Sequence, residues 1–384
     1  MGNLEKGQEQ IGGFLEFDPL NLLALNELSN LESGNNTPVT DKLNRLLADD
    51  DQYVLDLACF YLDLGLREDA IRVLKNSESD WQYAPRDYLL AYLHESDHES
   101  ASWRARAQEL KPDYVFPSRL WEILAIQDAL EADPDNYQAK YFLGNFYYSR
   151  QRYDEAVQLW EEALVGLETF DVLYRNLGLA YWQQGGDLVK ATQFFETALG
   201  INPGNQDLYI HLDELYKEQA DNQKRADLLS KIELVHPLRE DLRKRKIAIL
   251  IDLDQHEMAL KIMSSEEFVP LEMDQTFHNV YVRALLKNAE MHIDSGQFDQ
   301  AISDYQKALE FPKNHGVGKP VTLTNAEILY YLGCAYEKMG KYPEAVQTWR
   351  EAAQEHHKFG EDQFQFLQMS LDKLGRYSEL GFEG

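Results

Sequence analysis

The chain has 384 residues and a formal net charge of −29, from 66 acidic and 37 basic side chains. A single hydrophobic core stops growing at roughly 250–300 residues, so this length implies two domains or an array of repeats. The charge argues against nucleic acid or an anionic membrane as partner, and no apolar run approaches the ~18 residues of a membrane span.

Residues 1–17 lack an apolar signal core followed by a small-residue cleavage site, which points to a cytoplasmic home or to a chain whose signal has been removed. They read as a poorly ordered lead-in. Helical text begins at Asp18 (DPLNLLALNEL), and Ser33 to Pro38 (SGNNTP) reads as a loop. Ala58, Tyr61, Gly65, Ala70 and Leu74 then fall in the register that residues 137–205 define, and a degenerate copy near Tyr88 places Ala91 and His94. His94-Glu95-Ser96-Asp97-His98 matches the zinc-protease pattern H-E-x-x-H. That chemistry needs both histidines on one helix face, a third ligand, and Glu95 as general base. The register instead puts His94 late in a helix and Ser96 to His98 in the following turn. Lys111 to Pro117 (KPDYVFP) separates helices, with Ser118 as the N-cap of the next one.

The strongest signal starts at Tyr137. Gly144 and Gly178 lie 34 residues apart, as do Tyr147 and Tyr181. Ala156 and Ala191, Trp160 and Phe195, and Ala163 and Ala198 are each 35 apart, the extra residue fitting the Gly185-Gly186 turn. Pro203 closes the second copy. Weaker copies follow at Leu212, Tyr216 and Ala226, then at Leu250, Ala259 and Met263. The register returns with Ala289, His292, Gly296, Ala301, Tyr305 and Ala308, and again with Gly333, Tyr336, Gly340, Ala345, Trp349 and Ala352. Between these two, Phe311 to Thr322 reads as a longer loop. His356-His357 reads as an exposed helix end. A last helix around Phe364 to Leu374 should turn at Gly375 and Tyr377, with its second helix cut off at Gly384. The physical content of the pattern is a small residue that admits a close helix approach, an aromatic one turn on, and small residues along a second helix.

This spacing resembles the tetratricopeptide repeat (TPR) family, in which each unit is a helix pair A–B. The resemblance implies an all-α solenoid, a right-handed superhelix of antiparallel helix pairs, running as one continuous stack over residues 18–384. Trp160 and Phe195 would then fill the gap between units. More narrowly, DPLNLLALNEL (18–28), DYLLAYLHE (87–95), DYVFPSRLWEI (113–123) and DPDNYQAKYFLGNFYY (133–148) resemble the C-terminal helical arm of large bacterial proteins. Those carry an N-terminal β-rich domain of unknown function, similar to parts of carbohydrate-active enzymes.

In this family the A helices line a concave groove. The groove places include Gln138, Tyr141, Asn145 and Tyr148, then Arg175, Asn176, Leu179 and Trp182, then His211, Lys244 and Arg245. Exposed Tyr141, Tyr148 and Trp182 suit peptide capture, offering large contact area with a polar edge. A carboxylate-gripping subclass needs cations where this chain has Tyr141, Asp207 and His211, so capture of a C-terminal carboxylate in that manner is disfavoured. The one basic run, Arg239 to Lys246 (REDLRKRK), is either a solvated helix face or a local anionic docking patch.

No Gly-rich phosphate loop, nucleophile elbow or cysteine cluster is present, and Cys59 and Cys334, 275 positions apart, read as idle thiols. No catalytic residue, metal or cofactor is therefore expected. The function implied is a non-catalytic interaction scaffold that binds a protein or peptide, or its own missing N-terminal domain. The alternative is an accessory helical arm of a larger carbohydrate-processing protein, docking its β-rich domain.

Overall fold

The computed structural model describes residues 2–32, 37–49, 51–76, 82–234, 238–268, 276–316, 325–355 and 361–379. Two expected features, the loop over residues 33–36 and the His356-His357 pair, lie outside the described residues, as do residues 317–322 of the long loop. Among the described residues the chain is all-helical, with no strand. It forms two compact units, residues 1–202 and 203–384.

The first unit holds α1 (Gly2–Phe17), α2 (Leu22–Leu31), α3 (Pro38–Asp49), α4 (Asp51–Asp63), α5 (Arg67–Asn76) and α6 (Ala84–Leu93). It continues with α7 (Asp97–Glu109), α8 (Leu120–Ala132), α9 (Tyr137–Ser149), α10 (Tyr153–Ala163), α11 (Asp171–Gln183) and α12 (Leu188–Ile201). Residues 2–17, expected as a loose lead-in, are helical. The second unit holds α13 (Gln206–Glu218), α14 (Asn222–Ser230), α15 (Glu240–Asp252), α16 (His256–Ser265), α17 (Thr276–Asp294), α18 (Phe298–Ala308), α19 (Ala326–Lys338), α20 (Tyr342–Gln354) and α21 (Glu361–Glu379). Consecutive helices pair as hairpins, most tightly α9 with α10, α11 with α12, and α19 with α20.

The physical basis of the hairpin is visible at the glycines. A Cβ on Gly144 would lie 2.5 Å from the Trp160 ring, and one on Gly178 would lie 2.8 Å from Phe195. Gly333 faces Trp349 in the same way. The missing side chain lets the ring of helix B sit on the backbone of its own helix A. The indole N–H then reaches a main-chain carbonyl: Trp160 Nε1 donates to Tyr141 O at 3.3 Å, and Trp349 Nε1 to Tyr330 O at 3.2 Å. This corrects the expectation that Trp160 and Phe195 fill the gap between units; each fills the notch within its own.

Among the described residues seven A–B turns contain a left-handed residue, and the turn between α6 and α7 does not. Glycine supplies it at Gly65, Gly186, Gly296 and Gly340, but Gln151 (φ 62°), Ala220 (φ 56°) and Asp254 (φ 57°) do so without that freedom. Side-chain caps set several helix starts: Asn136, Asp187 and Asp221 accept from the N–H three residues on.

Two expectations change. The A–B alternation breaks at α8, which packs on both α6 and α9 rather than forming a hairpin of its own. Its N-cap is Arg119, not Ser118, because the buried Glu122 carboxylate accepts from the N–H groups of Ser118 (3.1 Å) and Arg119 (2.9 Å). At the other end, α21 runs through Gly375 without a turn. Tyr377 packs on Trp349 (centroids 5.4 Å apart) and donates to Glu337 at 2.8 Å, which holds the last turn helical.

Candidate functional site

On α9, Gln138, Tyr141 and Asn145 follow one another at helical spacing and share a face. Tyr141 was expected in the open groove; it is 1% exposed and meets Phe170 edge-on at 5.1 Å. Burial raises its hydroxyl pKa, while Asn145, Arg175 and Asn176 pull it the other way, so these four residues lie together. Asn145 accepts from Trp160 Nε1 at 3.2 Å and donates to the Val115 carbonyl at 3.3 Å. Arg175 leans on Asn176 Oδ1 at 3.4 Å and makes no ion pair among the described residues; its Nε is buried without an acceptor. Tyr148 is half-buried between Tyr153 and Trp160, each 5.1 Å away. Trp182 is half-buried edge-on to Phe195, and Leu179 is half-buried on the same helix.

In the second unit, the sequence-predicted cations Lys244 and Arg245 come together on one wall of an opening of about 380 Å³. Asp213, Glu214, Lys217, Arg225, Ala248, Phe277 and Val280 complete it; the half-buried His211 does not line it. The cations are not free. Arg245 bridges Asp213 (2.9 Å) and Glu214 (2.7 Å), Arg225 holds Asp213 from the other side at 2.8 Å, and Asp213 is fully buried. Lys244 pairs with Glu240 at 2.7 Å and lies over the Phe277 ring. The rest of the basic run is also engaged: Arg239 pairs with Asp207 and Asp241, and Arg243 with Glu266 at 3.2 Å. The anionic-docking reading of REDLRKRK therefore gives way to an ion-paired helix face.

A larger opening of about 520 Å³ lies between α17, α19 and α21. Leu286, Ile293, Tyr330, Tyr331 and Met369 supply its apolar walls, with Lys287, Glu290 and Lys338 among its charges. Tyr331 and Met369 are exposed there, at 38% and 39%. Sequence spacing did not single out this set, because Tyr331 and Met369 come from helices 38 positions apart in the chain.

The zinc-like motif straddles a turn. His94 is the C-cap of α6, with Nδ1 at 2.6 Å from Leu90 O, whereas His98 belongs to the first turn of α7. Among the described residues no group of three His, Cys, Asp or Glu side chains is placed to hold a metal. Burial and the nearby Glu122 push the Cys59 thiol up to about 12, and burial raises Cys334 as well, so neither is poised as a thiolate.

Models of the tetratricopeptide repeat match residues 144–185, 282–315 and 326–358, and the first and last of these contain the Gly144–Trp160 and Gly333–Trp349 pairs. The chain carries tetratricopeptide repeats. It is similar to the TPR repeat-containing protein YpiA of Bacillus subtilis (strain 168), 26% identical over 50% of this chain and 43% of that protein. It is also similar to the TPR repeat-containing protein YvcD of the same organism, 30% identical over 32% of this chain and 25% of that protein. The chain spans less than half the length of the curated relatives it matches. Among solved structures, Naa15/Naa10 bound to HypK-THB aligns with a TM-score of 0.47 at 16% identity, over 66% of this chain and 36% of that one. No helix among the described residues is long and apolar enough to cross a membrane.

Proposed function

We propose that this chain is a non-catalytic protein-interaction scaffold whose partner segment lies against its A-helix faces. The observation that carries the reading is the opening between α17, α19 and α21. It is about 520 Å³, walled by tyrosines and aliphatics and edged by charges of both signs. Tyrosine contributes area with a polar edge and few rotors, which favours capture of a peptide or helix. The half-buried Tyr148 and Trp182 offer the same chemistry in the first unit. The reading as an accessory arm docking a β-rich domain would use the same faces, and rests on sequence resemblance alone.

The test is site-specific photo-crosslinking in the producing cell. A photoreactive side chain at Tyr331 should trap a discrete partner, and the same group at the exposed Met258 on helix B α16 should not. Met369→Ala should weaken the Tyr331 adduct. Trapping at Met258 alone, or equally at both positions, would refute the assignment to the A-helix face.

A further inference from the structure

The connection between α7 and α8 is not a simple linker. Gln138 Nε2 donates to Leu110 O, and Asn145 Nδ2 donates to Val115 O at 3.3 Å. The two donors are seven residues, or two turns, apart on one face of α9, so the segment runs along that helix in the same direction. The Asn145 amide is pre-aimed: its oxygen is occupied by the Trp160 indole N–H, which leaves the NH₂ to donate. Among the described residues no hydrogen bond between main-chain groups ties residues 111–118 to the rest of the chain.

Side chains along the segment alternate as they would in a ligand laid on a surface. Val115 is 2% exposed and joins the buried cluster that contains Tyr141, while its neighbours Tyr114 and Phe116 are 92% and 63% exposed. Tyr114 sits at φ 57°, a left-handed conformation that a bulky residue adopts only under constraint. Pro112 and Pro117 bracket the stretch and bias the residues before them toward extended backbone. Its far end is anchored by the Glu122 carboxylate on the N–H groups of Ser118 and Arg119.

We infer that residues 110–118 are a built-in occupant of a peptide site on α9. That site takes a proline-bracketed peptide that turns at its Asp-Tyr step, reads its carbonyls with Gln138 and Asn145, and seats one small branched apolar side chain in the buried cluster that contains Tyr141. In the intact chain the site is closed, and a partner segment of this character gains it by displacing the chain's own. The inference rests on the A-helix faces being peptide-binding surfaces. It is tested in the first unit with a peptide of the chain's own sequence, so it can fail while the Tyr331 assignment stands, and the reverse.

The experiment uses the full chain with residues 111–117 replaced by seven Gly and Ser residues, its helicity checked by circular dichroism. A synthetic peptide LKPDYVFPS should bind this variant saturably. It should bind wild type at least tenfold more weakly, because the tethered segment competes at an effective concentration of order millimolar. Asn145→Ala in the replaced chain should weaken binding roughly three- to tenfold, the effect of one lost hydrogen bond. A peptide carrying Asp at the Val115 place should not bind. Failure to bind a helical replaced chain, or equal binding to wild type, overturns the inference. If the replaced chain does not fold, the intact chain decides. Asn145→Ala should then raise chymotryptic nicking after Tyr114, relative to other sites, by roughly three- to tenfold, and an unchanged ratio overturns it.

Discussion

His278 offers a prediction that can be worked through in numbers. It is 1% exposed on α17, stacked on Phe311 with ring centroids 3.8 Å apart, and neither ring nitrogen has a hydrogen-bond partner among the described residues. Burial and the neighbouring His315 lower its pKa from 6.5 to about 4. A depressed histidine pKa means that the unfolded chain binds more protons than the folded one between those two values. Stability is therefore complete above pH 6.5 and declines as pH falls toward 4. The loss is about 2 kcal/mol at pH 5 and about 3 kcal/mol below pH 4. Other groups titrate over the same range, His315 among them, its pKa also lowered by burial. The informative quantity is thus the difference between wild type and His278→Phe, which keeps a flat ring against Phe311 and removes the proton site. Amide hydrogen exchange of α17, corrected for intrinsic rates, reports the local opening free energy at pH 7.5 and pH 5. Wild type should lose about 2 kcal/mol more than the variant over that interval. A pH dependence identical in the two proteins would refute the reasoning, whatever the absolute stability of the variant.

Three further perturbations test the fold logic. Gly144→Ala places a methyl group against the Trp160 ring and should destabilise the first unit by roughly 1–3 kcal/mol in urea unfolding, whereas Gly12→Ala, with nothing within 4 Å, should not. Ala220→Gly relieves a left-handed alanine and should stabilise the second unit by about 1 kcal/mol; a loss of stability would show that the turn is not strained. Asp213→Ala leaves Arg225 and Arg245 without their shared buried carboxylate and should cost about 3–5 kcal/mol, while Glu214→Ala, at the exposed end of the network, should cost under about 1 kcal/mol.

The helix pairing was readable because its signals are local. Gly144 with Trp160 and Gly333 with Trp349 are each 16 residues apart, and a hairpin brings such positions together whatever the rest of the chain does. The left-handed turns at Gly65, Gly296 and Gly340 were legible for the same reason. Where glycine is absent from the turn, as at Gln151 and Asp254, the left-handed position carries no such mark in the sequence. The break at α8 was not legible, since a stretch such as LWEILAIQDALEA is good helix text in either role and only its neighbours decide what it packs against.

Sequence by itself determined the all-helical class, the repeat register, and which residues lie on the A helices. Tertiary structure decided which of those residues are free. Arg245 is neutralised by Asp213, 32 positions earlier, and Asn145 is engaged by Val115, 30 positions earlier. Residues a repeat apart meet only when neighbouring helices are laid side by side at a particular rotation. That rotation comes from the summed packing of the core rather than from any local pattern, so the same register that names the face leaves its occupancy to the fold.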